Sequence, residues 1–155
     1  MSGDSKCWRP RGWPAGTTWD SAEGLANGPP AFIAEEFRPI GQRKFIKSKR
    51  IHGVLRHEIG HAYDHAINPL QDLSQSPEFL AAFRKDKAAM NSIVRGNLKY
   101  FIQRGDAGPS EAFAEGFAAI FGGGAAQGSR AELFKRSFPN VLKVIEEITS
   151  RERKS

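Results

Sequence analysis

Two histidines four residues apart, His57 and His61, lie in a segment whose apolar residues recur at helical spacing. The pattern begins at Ile51 and stops at Asn68-Pro69, because proline cannot continue a helix. Its apolar positions are Val54, Leu55, Ile59, Ala62 and Ala66. Residues four apart lie on one face of a helix, so both imidazoles can reach a single cation. The segment therefore predicts a helix that carries two metal ligands on one face.

Glu58 completes a His-Glu-x-x-His motif with these two histidines. Being next to His57, it lies beside a bound metal ion rather than on it, where its carboxylate can accept a proton from a bound water. Zinc lowers the pKa of such a water to about 7. The motif predicts hydrolysis of peptide bonds with Glu58 as general base. The alternative is a chance match, in which the histidines bond surface carboxylates and Glu58 is solvated.

The composition limits the kind of protein and the kind of metal site. A chain of 155 residues is long enough for one domain and short for two. No apolar run approaches the roughly 20 residues of a membrane helix, and the first residues lack the pattern of a secretory signal. A single cysteine, Cys7, excludes an internal disulfide and a multi-thiolate metal site. Cys7 is either an incidental thiol or a ligand that caps the zinc.

A catalytic zinc usually takes three protein ligands, so the motif needs one more. Asp64 and His65 lie on the same straight helix, which cannot wrap around a tetrahedral ion, and His52 precedes the motif by more than a turn. Glu111 and Glu115 are four apart on one face of a later predicted helix. Acids among aromatic residues are costly unless they are paired or bound to metal. This pair therefore suggests one ligand and one supporting carboxylate, with a solvated acidic face as the alternative.

The rest of the chain predicts an α+β fold that is mostly helical, with a small N-terminal sheet. Residues 1–30, rich in glycine, proline and tryptophan, are predicted to form an irregular arm, and residues 31–155 a single domain. Residues 31–37 are a candidate edge strand, and a second strand is expected from Phe45.

Four further helices are expected. One begins after Ser76 with Pro77 at its first position and runs to Gly96, and another opens at Pro109 and carries the Glu111 and Glu115 pair. The last two are expected at residues 131–137 and 141–151, after a flexible loop at residues 122–128.

The segment from His57 to Asp64, followed about fifty residues later by residues 110–118, resembles the catalytic domain of anthrax lethal factor and its relatives. These relatives include the clostridial Pro-Pro endopeptidases and are gluzincin-type peptidases. The resemblance covers roughly residues 50–121 and implies a compact zincin-like (gluzincin) domain with an active-site helix carrying HExxH. It also implies a zinc metalloendopeptidase with one Zn²⁺ per chain.

The resemblance also implies individual roles. It makes Glu111 the third ligand after His57 and His61, with Glu115 and Asp64 as supporting carboxylates. Tyr100 is the best match to a tyrosine that stabilises the oxyanion of the tetrahedral intermediate, and the alternative is a packing or surface tyrosine. Gly60 would let another segment approach the motif helix closely, and residues 31–37 could supply an edge strand that binds substrate.

The net charge of +6 is concentrated in a basic stretch at residues 38–56. This stretch is either a solvated face or a surface for an acidic partner, and nucleic acid is not expected because aromatic residues scarcely interleave. The expected partner is a protein or peptide substrate. A toxin or secreted effector protease is one possibility; an inactive binding module of the same fold and an intracellular protease that cuts a repressor are the others. The sequence therefore leaves secretion or delivery and the cytoplasm both open, as it does the substrate and the oligomeric state.

Overall fold

The computed structural model describes residues 24–25, 32–33, 36–67, 70–126 and 128–152. Cys7 and the three tryptophans of the predicted arm lie outside the described residues. The division of the chain into an arm and one domain therefore stays a prediction.

The described residues are mostly helical, as the sequence predicted. The six α-helices are α1 Ile51–Ala66, α2 Pro77–Ala89, α3 Ser92–Asn97, α4 Ala107–Ile120, α5 Ser129–Ser137 and α6 Pro139–Glu152. Two short 3₁₀ turns, Leu73–Gln75 and Lys99–Ile102, connect some of them. None of the helices in this part of the chain is both long and apolar enough to cross a membrane.

The described strands form two separate antiparallel pairs, whereas the sequence predicted one strand at residues 31–37. The expected strand at residues 31–37 contains two separate strands, β2 Phe32–Ile33 and β3 Glu36–Phe37. Strand β2 pairs antiparallel with β1 Gly24–Leu25, which falls within the predicted arm, and β3 pairs antiparallel with β4 Ile46–Lys47. Strands β1 and β2 contact α1, so this small pairing packs beside the motif helix.

The helix predicted from Ser76 to Gly96 is wrong in one respect, because it is two helices. Ser76 caps α2 as expected, its hydroxyl accepting the backbone N–H of Phe79 at 3.3 Å. The chain then becomes extended at Met90, and the Asn91 side chain accepts the N–H of Val94 at 2.9 Å to begin α3. In α3, Ile93 is 74% exposed.

Helix α4 lies at the centre of the molecule and contacts α1, α2, α5 and α6. It begins at Ala107, two residues before the predicted start at Pro109. Aromatic rings dominate the core that it shares with its neighbours, which includes Phe79, Phe83, Phe101, Phe113, Phe134 and Phe138. One buried acid, Asp86, accepts the backbone N–H of Val141 at 2.9 Å and so caps the start of α6.

Helices α1 and α4 form the most extensive contact between helices in the described chain. Gly60 explains the close approach, because a Cβ atom at this position would lie 2.8 Å from the Cα and carbonyl oxygen of Ala114. Such a distance is too short for carbon and requires glycine. The close approach expected at Gly60 is therefore confirmed, and the approaching segment is α4, which carries Glu111 and Glu115.

Candidate metal centre

Three side chains from two helices converge beside the α1–α4 contact, namely His57 and His61 of α1 and Glu111 of α4. His57 Nε2 lies 3.2 Å from Glu111 Oε2, and His61 Nε2 lies 3.6 Å from the same oxygen. One donor atom of each residue lies within 4.8 Å of the other two. In the part of the chain that the structure describes, these residues form a group that could hold a metal ion.

The spacing of these donor atoms suits a small tetrahedral cation. Zinc binds nitrogen and oxygen ligands at about 2.0–2.1 Å, so two such ligands at the tetrahedral angle lie roughly 3.3 Å apart. The two distances to the Glu111 oxygen, 3.2 and 3.6 Å, are close to that value. Two imidazoles and one carboxylate are also the kind of donor set that zinc accepts.

The charges around His57 favour a positive charge at this position. Burial alone lowers the pKa of the His57 ring, but hydrogen bonds to Glu111 and Glu115 raise it to about 9. Burial likewise raises the pKa of Glu111, yet the contacts with His57 and His61 lower it to about 2. The carboxylates therefore stabilise a cation here, whether it is a proton on the ring or a metal ion.

Glu115 orients His57 from the side opposite Glu111. Its Oε2 lies 3.0 Å from His57 Nδ1, and only 2% of the side chain is exposed. A carboxylate that accepts the Nδ1 proton leaves Nε2 with its lone pair directed at the point where the three donors meet. Glu111 and Glu115 thus lie at different ring nitrogens of His57, as the ligand and the supporting carboxylate of a metal-bound histidine would.

The same carboxylate also holds the loop that follows α4. Glu115 accepts the backbone N–H groups of Ala125 and Ala126, at 3.0 and 2.9 Å. Gly124 has to be glycine, since a Cβ atom there would collide with the Glu115 carboxylate. Arg50 and Arg56 donate to carbonyl oxygens of Ala125 and Gly123 in the same loop. The loop predicted to be flexible is thus tied to α1 and α4 by several hydrogen bonds over residues 123–126.

His61 has a partner that the sequence did not reveal. The Ser110 hydroxyl lies 3.3 Å from His61 Nδ1, so the ring is held from behind while its Nε2 faces Glu111. Ser110 directly precedes Glu111 and lies one helical turn before Ala114, the residue that packs on Gly60. Its contact with His61 could be predicted only from knowledge that α4 packs against α1.

Asp64 is fully buried, but the hydrogen bond that it accepts comes from outside the metal centre. Its Oδ1 accepts the backbone N–H of Ser74 at 2.6 Å, which ties the end of α1 to the 3₁₀ turn at Leu73–Gln75. Burial raises the pKa of Asp64 despite this bond. Its support of the metal ligands stays a prediction, because the contact shown is with the turn.

Glu58 and Tyr100 lie at the open side of the group. Both line a cleft of about 580 Å³ together with His57. Partial burial, together with the nearby charges of Glu111 and Glu58, raises the pKa of Tyr100 above its ordinary value. The tyrosine singled out in the sequence therefore reaches the site, although its catalytic role stays a prediction.

The other histidines lie elsewhere. His65 Nδ1 pairs with Asp72 Oδ1 at 2.7 Å on the surface, and both side chains are largely exposed. His52 is exposed on the first turn of α1 and is not part of the group that could hold a metal. The structure thus places neither of the alternative histidine ligands at the site.

Comparison with known proteins adds a family to this geometry. The sequence family described as anthrax toxin lethal factor, N- and C-terminal domain, matches residues 4–148, nearly the whole chain. No curated protein and no solved structure matches the chain. The resemblance seen in residues 57–64 and 110–118 is confirmed, and the match extends well beyond them. The chain belongs to the anthrax toxin lethal factor family.

Proposed function

We propose that this chain is a zinc-dependent endopeptidase with a zincin-like (gluzincin) domain, and that α1 is its active-site helix. His57, His61 and Glu111 would hold one zinc ion. The observation that carries the proposal is the convergence of His57 Nε2, His61 Nε2 and Glu111 Oε2 at distances suited to zinc, beside Glu58 and an open cleft. The family description covers two domains of lethal factor, so family membership alone does not decide whether this member is catalytic.

A zinc ion held by these residues would polarise a substrate carbonyl and would supply hydroxide near neutral pH. Glu58, buried next to His57 and lining the cleft, is positioned to accept the proton of the attacking water and to pass it to the departing amide nitrogen. The Tyr100 hydroxyl, at the same opening, is positioned to donate a hydrogen bond to the substrate oxygen as negative charge develops on it. Glu115 keeps the Nδ1 proton of His57 in place throughout.

An inactive binding module of the same fold is the main rival, and the residues argue against it. A module that had lost catalysis would have no need to keep Glu58, His57, His61 and Glu111 together beside a cleft. The toxin-related family supports a delivered effector that cuts a protein or peptide. The alternative of an intracellular protease that cuts a repressor rests on the basic stretch at residues 38–56 and on the lack of a secretory-signal pattern in the first residues.

The proposal predicts one zinc ion per chain, which metal analysis of the purified protein measures. His57→Ala or Glu111→Ala should lower the zinc content strongly, because each removes a ligand. Absence of stoichiometric zinc binding by the unaltered chain would contradict the metal site itself.

Glu58→Gln should retain zinc and lose cleavage by on the order of 10²- to 10⁴-fold, since the change keeps the shape of the side chain and removes the base. The measurement is digestion of a peptide library by the zinc-loaded protein. Glu132→Gln, at an exposed acid of α5, is the matched control and should cleave like the unaltered chain. Equal cleavage by Glu58→Gln and the control would show that Glu58 is not the base.

A further inference from the structure

The cleft that reaches Glu58 and His57 is surrounded by cations from three separate parts of the chain. Arg50 precedes α1, Lys99 begins the 3₁₀ turn before α4, and Arg130 lies in the first turn of α5. Among the described residues that line the cleft, Glu58 is the only acid. The described part of the cleft wall therefore carries three cationic side chains, and its one acid, Glu58, lies beside His57.

Two of these cations are held beside the wall by their own contacts. The Arg50 guanidinium donates to the carbonyl oxygen of Ala125 at 3.3 Å, which holds it beside the wall. The Arg130 guanidinium lies 5.4 Å from the centre of the Phe101 ring, so its side chain follows the wall of the cleft. Lys99 is exposed and adjoins Tyr100 in sequence.

The other acids of the metal centre lie outside the described cleft wall. Glu111 and Glu115 are bonded to His57, His61 and loop N–H groups, and neither lines the cleft. Charges at a partly buried wall act over roughly 8–10 Å in physiological salt, a distance of two or three residues of extended peptide. A substrate lying along this wall would be selected by the charge of residues near its scissile bond.

We infer that the cleft selects acidic polypeptide, so that substrates carry aspartate or glutamate side chains within a few residues of the scissile bond. The inference rests on the proposed peptidase function and names its substrate class. Lys99 and Arg130 are the residues that determine specificity, and they act by binding substrate carboxylates rather than in the bond-breaking step.

The test is the cleavage profile of a peptide library by the zinc-loaded chain, followed by three matched peptides with glutamate, glutamine or lysine at the selected positions. Glutamate peptides should be cleaved best, and the preference should weaken as salt concentration rises. Lys99→Glu and Arg130→Glu should each lower kcat/KM for the glutamate peptide about tenfold and raise it for the lysine peptide. Arg84→Glu is the control, because it makes the same charge change on the exposed face of α2, away from the cleft. It should leave the preference unchanged.

A binding measurement separates this inference from the proposed function. The zinc-loaded Glu58→Gln variant should bind a fluorescent glutamate peptide more tightly than the lysine peptide, and the Lys99→Glu and Arg130→Glu changes should reverse that order. Cleavage without acidic preference, or the same preference after charge reversal, would overturn the inference and leave the peptidase proposal standing. Absence of any cleavage would contradict the peptidase proposal. The order of peptide binding would then test by itself whether the cleft prefers acidic peptides. Tighter binding of a single-stranded oligonucleotide of equal charge would overturn the assignment to polypeptide.

Discussion

His57 has two ring nitrogens, and each faces a different carboxylate of α4. Glu115 lies at Nδ1 and Glu111 at Nε2, so the two acids four residues apart have separate roles on one ring. His57, Glu111 and Glu115 could each be identified as site candidates from the four-residue spacing along their own helices. The pairing of Glu111 with Nε2 and of Glu115 with Nδ1 depends on how α4 lies against α1, which no local pattern specifies.

Glu115→Gln should weaken zinc binding by about 10- to 100-fold, because the amide cannot accept both the His57 proton and the loop N–H groups as the carboxylate does. Competitive titration with a zinc-binding dye measures the dissociation constant. Glu132→Gln again serves as the control on an exposed surface. An unchanged dissociation constant in Glu115→Gln would mean that Glu115 does not orient the ligand.

Tyr100→Phe should lower kcat by about 10²-fold while zinc affinity stays within a few-fold, because only the hydroxyl is removed and the contact with Phe101 at 5.3 Å remains. Peptide kinetics combined with zinc titration measure both effects. Tyr63→Phe, at the chain's other tyrosine, which packs on Phe117, should change neither. A parallel loss of zinc affinity and kcat in Tyr100→Phe would instead indicate that Tyr100 acts by positioning Glu111.

At the scale of elements, the contact between α1 and α4 decides whether a site exists. Helix α1 could be predicted with its end within about two residues, because its apolar period and the Asn68-Pro69 stop are both local. The break between α2 and α3 was missed, since the apolar period continues across it. Asn91 marks the break only through a side-chain bond to the Val94 N–H, and the sequence pattern does not distinguish this from an ordinary polar position.

Gly60→Ala should lower the free energy of unfolding by about 1–3 kcal/mol, because the added methyl group meets the backbone of Ala114 and forces the helices apart. Urea unfolding measures the change, and zinc affinity should fall with it, because Glu111 moves away from His57. Gly96→Ala is the matched control: no atom lies within 4 Å of a Cβ atom at Gly96, so this change in α3 should stabilise by up to about 1 kcal/mol. A neutral effect of Gly60→Ala would contradict the close approach.

At the scale of the whole molecule, the metal ligands come from the two helices with the largest mutual contact, so a bound ion links α1 to the central helix of the core. Zinc that binds only the folded chain should stabilise it by about 2.7 kcal/mol at 100 times the dissociation constant. For a chain of this size that corresponds to a rise in Tm of roughly 5–10 °C.

Thermal unfolding with zinc and with a chelator measures this rise. His61→Ala should abolish the rise, whereas His65→Ala, at the exposed pair with Asp72, should preserve it. An equal rise in both variants would place the bound zinc elsewhere in the chain.

The sequence alone was sufficient for the helical character, for the two histidines and Glu58 on one helix, and for the acidic pair on another, because helical periodicity acts over a few residues. It was also sufficient for the family, because two motifs in the right order are carried by the chain itself. Only the tertiary structure decided that Glu111 meets His57 and His61, that Ser110 supports His61, and that Arg50, Lys99 and Arg130 line one cleft. These residues lie about 30 to 80 positions apart in the chain, and the packing of Gly60 against Ala114, which no local pattern specifies, brings Ser110 and Glu111 to α1.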